Sequence, residues 1–320
     1  MHILITGAHG FVGKALVARL LNDANALPGL TRLSLMDLAF DAPASDPRVQ
    51  LLPGSITNPA LVAQAFAQPV DIVFHLASIP GGMAEREVLL GRQVNLDATV
   101  HLLEAARRQA DHPAAPVFVF ASTIAALGSP LPADGVDDHT PCTPKLSYGA
   151  HKLIGEILVA DYTRRGWVDG RSVRLSGIVA RPAGPSGLLS AFMSDIIREL
   201  AAGRSFDCPV AADSTTWLLS VPCLIDNLLH AATMDGSRLG DGRVCTLPAL
   251  RISMAELAEA VGQAYGVDTT GRVTWHANPA LEANFGRYPP LRTPLAEAAG
   301  FCHDGDARTL ARRALQDNGR

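Results

Sequence analysis

Four residues near the middle of the chain carry types and spacings that could do chemistry. Ser122 and Thr123 end an apolar run, Val117 to Ala121, and Tyr148 and Lys152 follow four residues apart on a helical pattern. That separation puts a phenol and an ammonium on one helix face. The carboxyl end of a strand is where open α/β sheets present their ligands, so two hydroxyls, a phenol and a cation can converge on one alcohol. Oxidising an alcohol needs a base for its O–H proton while hydride leaves the carbon, and a free phenol with a pKa near 10 is a poor base at neutral pH. A neighbouring ammonium favours the phenolate and lowers that pKa. Tyr148 is therefore the candidate base, Lys152 its cationic partner, and Ser122 or Thr123 the hydroxyl that fixes the reacting oxygen. Both hydroxyls stay open as candidates.

A Tyr-x-x-x-Lys pair occurs by chance in many helices, and its weight comes from what precedes it. Gly7-Ala8-His9-Gly10-Phe11-Val12-Gly13 lies directly after an apolar strand and opens a helix. Free backbone N–H groups there, Phe11 and Val12 included, can hold a pyrophosphate at the positive helix end. Gly7 permits a tight turn, Gly10 lets backbone approach the phosphate, and Gly13 allows close helix-strand packing. About two dozen residues beyond Gly13, Asp37 ends the second strand, where a carboxylate accepts hydrogen bonds from a ribose and repels a 2′-phosphate. Leu38-Ala39-Phe40 supplies no arginine for such a phosphate, so the expected cofactor is NAD.

These residues need elements to position them. Apolar runs at His2 to Thr6, Leu33 to Met36, Val49 to Leu52, Asp71 to Leu76 and Val117 to Phe120 alternate with helical patterns such as Phe11 to Leu21 and Asn95 to Arg108. Strands of this kind are covered on both faces, which predicts an α/β fold with a doubly wound parallel sheet of the Rossmann type. Strict alternation lapses after Val179, at the turn-rich Arg181-Pro182-Ala183-Gly184-Pro185-Ser186-Gly187. Residues 1–179 thus read as a dinucleotide-binding domain carrying the catalytic residues. Residues 180–320 read as a mainly substrate-side region, some of whose elements return to the first. Helices are expected at about 188–202, 222–234 and 253–265, the last opened by a Ser253 and Glu256 capping box. The tail from Asp304, with Arg308, Arg312 and Arg313, reads as a solvated helix.

Composition narrows the class. With 48% hydrophobic and 18% charged residues and a net charge of -4, the chain shows no nucleic-acid footprint. No apolar run approaches bilayer length, and a strand begins within two residues of Met1, so neither a membrane partner nor a leader is expected. Cys142, Cys208, Cys223, Cys245 and Cys302 lack Cys-x-x-Cys spacing and suggest neither disulfides nor a metal site. A cytoplasmic enzyme is the expectation.

With these residues in place, the sequence resembles the extended short-chain dehydrogenase/reductase family, the NAD-dependent epimerase/dehydratase group, over nearly its whole length. The matching motifs are Gly7 to Gly13, Asp37, His75-Leu76-Ala77-Ser78, Asn95-Leu96-Asp97, Phe120 to Thr123, Tyr148 to Lys152, and Arg174 before Arg181-Pro182. The resemblance implies a cofactor set extended to Ser55, Ile56, Leu76, Ala77, Asn95 and Ile178, with Lys152 on the nicotinamide ribose. Counted back from Gly128, the family's catalytic hydroxyl falls on Thr123. Ser55 stands where the family has an aspartate for the adenine. His75 reads as structural, and Asn95 could also tie loops together.

Many relatives act on nucleotide sugars, but Gly177 and Thr216 stand where an asparagine and an arginine would hold the diphosphate. Their loss points to a small substrate. The segments Ser78 to Gly82, Ser190 to Glu199, Trp217 to Pro222 and Asn227 to Ala232 resemble a branch that oxidises the 2-hydroxyl of a four-carbon sugar acid with NAD. For the carboxylate, Arg181 is the candidate cation, and Ser78, Thr143 and Trp217 are further pocket candidates. Met83, Phe192 and Met193 read as apolar packing. The rival readings are a nucleotide-sugar epimerase or reductase, and a non-catalytic NAD(H)-sensing protein, which would be expected to have lost Tyr148 or Lys152. The resemblance also implies homodimers that pair through the helix bearing Tyr148.

Overall fold

The computed structural model describes residues 1–109, 114–184 and 189–316. Six strands come first, β1 (His2–Thr6), β2 (Arg32–Asp37), β3 (Val49–Pro53), β4 (Ile72–His75), β5 (Val117–Thr123) and β6 (Asp169–Leu175). They are followed by β7 (Gly177–Val179), β8 (Phe206–Cys208), β9 (Thr215–Ser220), β10 (Val244–Thr246), β11 (Leu250–Ser253) and β12 (Val273–Trp275). Seven of these form one all-parallel sheet in the order β3-β2-β1-β4-β5-β6-β10. The winding reverses between β1 and β4, which opens a crevice at the carboxyl ends of the strands. β7, β9 and β11 make a second sheet, and β8 pairs with β12.

Twelve helices cover these sheets among the described residues: α1 (Phe11–Asn22), α2 (Pro59–Ala65), α3 (Gly81–Arg86), α4 (Val88–Arg92), α5 (Ala98–Arg107), α6 (Ser147–Arg164), α7 (Phe192–Ala201), α8 (Val221–Thr233), α9 (Met254–Tyr265), α10 (Pro279–Phe285), α11 (Pro294–Ala299) and α12 (Ala307–Ala314). Strand alternation sends Ile3, Ile5, Leu33 and Phe74 to the face covered by α1 and α8. Leu4, Met36, Val73 and Phe118 go to the face covered by α2, α5 and α6. The parallel sheet is therefore sealed on both sides, as continuous apolar strands require. β10 and α8 come from the second half of the chain but complete this first core. A separate core joins α7, α9, α12 and β9.

Two expectations change. The terminal helix is not solvated: Leu310, Ala311 and Ala314 of α12 are buried in that second core, and Arg313 pairs with Asp226 at 2.7 Å. Its three arginines mask the apolar stripe of Leu310, Ala311 and Ala314. The pattern at Asn95 to Arg108 begins as a π-turn over Gln93–Asp97 before α5 takes over. The capping box at Ser253 and Glu256 is present in both directions. Pro185, Ser186 and Gly187 of the turn-rich segment, and the first residue of the helix expected at 188, lie outside the described residues.

Candidate active site

The glycine turn is built as its spacing demands. Gly7 has φ +71°, and a Cβ there would stand 2.7 Å from the Ala77 amide nitrogen. A Cβ on Gly13 would stand 2.1 Å from the Gly7 carbonyl oxygen. The N-cap of α1 is Gly10, no side chain caps the helix, and its first turn holds no acidic residue. The first N–H groups therefore face a phosphate-sized cradle without an internal competitor. Gly7, Gly10, Phe11, Val12 and Gly13 line a cleft of about 1490 Å³ that runs on past Leu76, Ser78, Thr123, Tyr148, Ile178 and Arg181. This cleft is roomy enough for a dinucleotide and a small substrate together.

At the far end, Asp37 accepts hydrogen bonds from the amides of His9 and Leu38, at 2.8 and 2.7 Å, so it braces the turn from the end of β2. Of the remaining residues expected at the cofactor, Ile56 and Asn95 are buried, whereas Ser55 and Ala77 are half-buried. Ser55 bonds Thr57 at 2.8 Å and Ile56 packs into the core. Ala77 lies against Gly7, its amide donating to Thr6 Oγ1 at 3.3 Å. Asn95 is buried and holds Ile79 by both amide and carbonyl, at 2.9 and 3.1 Å. His75 is fully buried between the hydroxyls of Thr6 and Thr99, each at 2.8 Å. Ile56 and Asn95 thus shape the loops of the cleft without facing it.

Alternation along β5 separates the two candidate hydroxyls. Ser122, buried, donates to Glu156 of α6. Thr123 and Ser78 face the Tyr148 phenol, and their hydrogen bonding to its anion pulls its pKa down, as does the charge of Arg181. Burial acts more strongly in the other direction and leaves the phenol above its ordinary value. Lys152 is almost wholly buried: its Nζ donates to the Ala121 carbonyl at 2.8 Å and sits 4.7 Å from the centre of the Phe120 ring. That burial pulls its pKa down to about 7, against the raising influence of Glu156 one helical turn on.

Arg181 lies over the Phe11 ring, 4.9 Å from its centre, and lines the cleft. Its guanidinium has no carboxylate partner among the described residues. Two pocket candidates belong elsewhere. Trp217 is fully buried, donates to the Pro289 carbonyl at 2.8 Å and packs edge-on against Tyr288. Thr143 bonds the Leu127 carbonyl at 3.2 Å and braces the turn at Gly128. Of the residues expected to be apolar packing, Phe192 and Met193 are both buried in the second core, and Met193 also reaches the cleft wall.

Residues 3–218 match the NAD dependent epimerase/dehydratase family. The chain belongs to this family. Among its relatives, the D-erythronate dehydrogenase of Cupriavidus necator is 38% identical, with 100% of this chain and 99% of that protein aligned. The D-erythronate dehydrogenase of Haemophilus influenzae is 30% identical, with 99% of each covered. Among solved structures, the nucleoside-diphosphate-sugar epimerase from Agrobacterium tumefaciens superposes with a TM-score of 0.88 at 31% identity, covering 97% of this chain and 92% of that one. The chain is thus an oxidoreductase of the dehydrogenase kind that works with a nicotinamide cofactor.

Sequence reasoning missed Glu156. Both of its carboxylate oxygens take hydrogen bonds from Arg174 of β6, at 2.9 and 2.7 Å, and it also takes the Ser122 hydroxyl. Its position four residues after Lys152 was the available signal. An exposed i,i+4 ion pair has the same spacing, and only packing shows that this carboxylate lies under the strand that delivers Thr123.

Proposed function

We propose that this family member oxidises the 2-hydroxyl of a small sugar acid, D-erythronate foremost, to the 2-keto acid with NAD. The observation that carries the reading is the Arg181 guanidinium, which has no carboxylate partner among the described residues and whose charge acts on the same phenol as Thr123 and Ser78. A 2-hydroxy acid has a carboxylate one bond from its reacting alcohol, so a cation beside the base fits it. The two full-length relatives named for D-erythronate support the choice of acid.

Tyr148 takes the proton of the alcohol. Thr123 holds the reacting oxygen, with Ser78 beside it, and Arg181 fixes the carboxylate. Lys152, one turn along α6 from the base, is the residue we assign to the ribose hydroxyl of the nicotinamide. The glycine turn, Leu76 and Ile178 hold the dinucleotide, and Asp37 favours NAD over its 2′-phosphorylated form. The oxidised nicotinamide supplies the hydride acceptor.

The likeness to a nucleoside-diphosphate-sugar epimerase favours a second reading, which Gly177 and Thr216 oppose. The two separate on cofactor turnover. Purified protein with NAD and four- to six-carbon sugar acids should form NADH; an epimerase instead keeps its NAD, releases no NADH and turns over UDP- or dTDP-sugars. NADP in place of NAD should support little activity. We also infer a homodimer, because α6 exposes Ile154 and Ile157 beside Val88 and Leu89 of α4. The free thiols suit a cytoplasmic enzyme.

A further inference from the structure

The cleft carries three hydroxyls that have no adequate partner among the described residues. Ser176 sits between β6 and β7, just past the residue that pairs with Thr123, and its buried Oγ has no hydrogen bond. Thr216 of β9 is 1% exposed, and its hydroxyl meets only the Met193 thioether sulfur, at 3.7 Å. A thioether is a weak acceptor, so this hydroxyl is close to unsatisfied. Tyr288 binds Thr215 through its own backbone and sets its ring edge-on to Trp217, yet its phenol finds no partner among the described residues. Burial pushes that phenol up to about 12, so it remains a neutral donor.

These groups are neighbours. Gly177 pairs with Leu218, which sets Thr216 two residues along the adjoining strand. A Cβ on Gly177 would fall 2.9 Å from Leu218 and 3.5 Å from Met193, so the bare glycine keeps the floor between Ser176 and Thr216 open. The Tyr288 amide donates to the Thr215 carbonyl at 3.0 Å, which draws the phenol to the same strand. Glu282, the nearby carboxylate of the lining, is occupied by Ser214 Oγ at 2.7 Å and by the Ala211 amide. Glu282 and Arg287 also line this part of the cleft, so charge flanks the three hydroxyls, each of which can both donate and accept. Buried polar groups are almost always paired, so the Ser176 and Thr216 hydroxyls, with the half-buried Tyr288 phenol on the same cleft, call for a ligand with matching groups. Alcohols match.

We propose that Ser176, Thr216 and Tyr288 form a subsite for the polyol tail of the substrate, so that the enzyme selects polyhydroxy acids over plain 2-hydroxy acids. This rests on the sugar-acid reading above. Arg181 takes one end of the molecule and the hydroxyl wall takes the C3 and C4 alcohols at the other. A substrate lacking those alcohols leaves the wall unpaired, and such sites reject the deoxy analogue strongly.

The test compares D-erythronate with 2-hydroxybutyrate, which keeps the four carbons and the carboxylate but has neither tail hydroxyl. With saturating NAD, kcat/KM of the unaltered enzyme should favour erythronate by at least about a hundredfold. Thr216→Val and Tyr288→Phe should each raise KM for erythronate about tenfold while leaving 2-hydroxybutyrate within about twofold. Thr216→Ser should restore erythronate, and a melting curve with NADH bound shows that each variant folds. Equal loss on both acids, or no preference in the unaltered enzyme, overturns the subsite and leaves the sugar-acid reading standing. Turnover of UDP-sugars with no sugar acid oxidised overturns both.

Discussion

At the residue scale, the site opposes two influences on one phenol. Burial raises Tyr148, while Thr123, Ser78 and Arg181 lower it. As the base proposed above, Tyr148 would work only when deprotonated, so kcat/KM for oxidation should climb with pH through the phenol's pKa. Tyr148→Phe should cut turnover by about a thousandfold or more and leave NAD binding, followed by fluorescence quenching, nearly unchanged. Arg181→Met should raise KM for the acid by one to two orders of magnitude, about the worth of a charge-assisted hydrogen bond. It should also move the rising limb to higher pH, because the charge that lowers the phenol is gone. An unmoved limb would separate Arg181 from the base.

Lys152 gives a stability prediction. Folded, it releases its proton near pH 7 through burial, whereas the unfolded chain holds that proton to the ordinary lysine range near 10.5. Between those values the unfolded state binds more protons, so this group's penalty is full below pH 7 and fades as pH rises. The melting temperature of the native enzyme relative to Lys152→Met should therefore increase from about pH 6.5 to about pH 9.5. A constant difference would show that the ammonium is not desolvated in solution.

At the element scale, the active face depends on how α6 is fastened to β5 and β6. Tyr148 and Lys152 ride on α6, Thr123 ends β5, and the Glu156, Arg174 and Ser122 network joins all three elements. Arg174 and Glu156 are 12% and 3% exposed, so removing one charge strands the other in the interior. Glu156→Gln should destabilise the fold by about 3–5 kcal/mol in urea unfolding. Ser122→Ala, which removes one hydroxyl donor to the buried Glu156 carboxylate, should cost about 1.5–3 kcal/mol and leave the chemistry in place. The glycine turn is as intolerant. Gly13→Ala would press a methyl onto the Gly7 carbonyl, so cofactor binding should fail even where the chain still folds.

At the scale of the whole molecule, the second half of the chain serves two cores. β10 and α8 complete the parallel sheet, whereas α7, α9 and α12 pack into the second core, and α7, β9 and α10 bring Met193, Thr216 and Glu282 to the cleft. The outer face of α6 leaves Ile157 61% and Ile154 41% exposed on the helix that carries Tyr148. If two copies bury that face, Ile157→Lys should shift the protein to monomer in light scattering, with thermal stability falling alongside. A monomeric native enzyme would refute the pairing.

What the sequence determined by itself was local. Apolar runs read as sheet strands because both faces are covered, and the glycine turn, Asp37 and the Tyr148 and Lys152 pair were legible because each needs only near neighbours in the chain. Tertiary structure decided which way side chains point. Ser122 and Thr123 are adjacent in sequence, yet β5 turns one toward Glu156 and the other toward Tyr148. Thr216 and Trp217 divide in the same way on β9, so Thr216 lines the cleft and Trp217, expected in the pocket, belongs to the core. A period of two hides this choice from composition, because the face that meets the cleft is fixed by distant partners such as Met193, Tyr288 and Glu156.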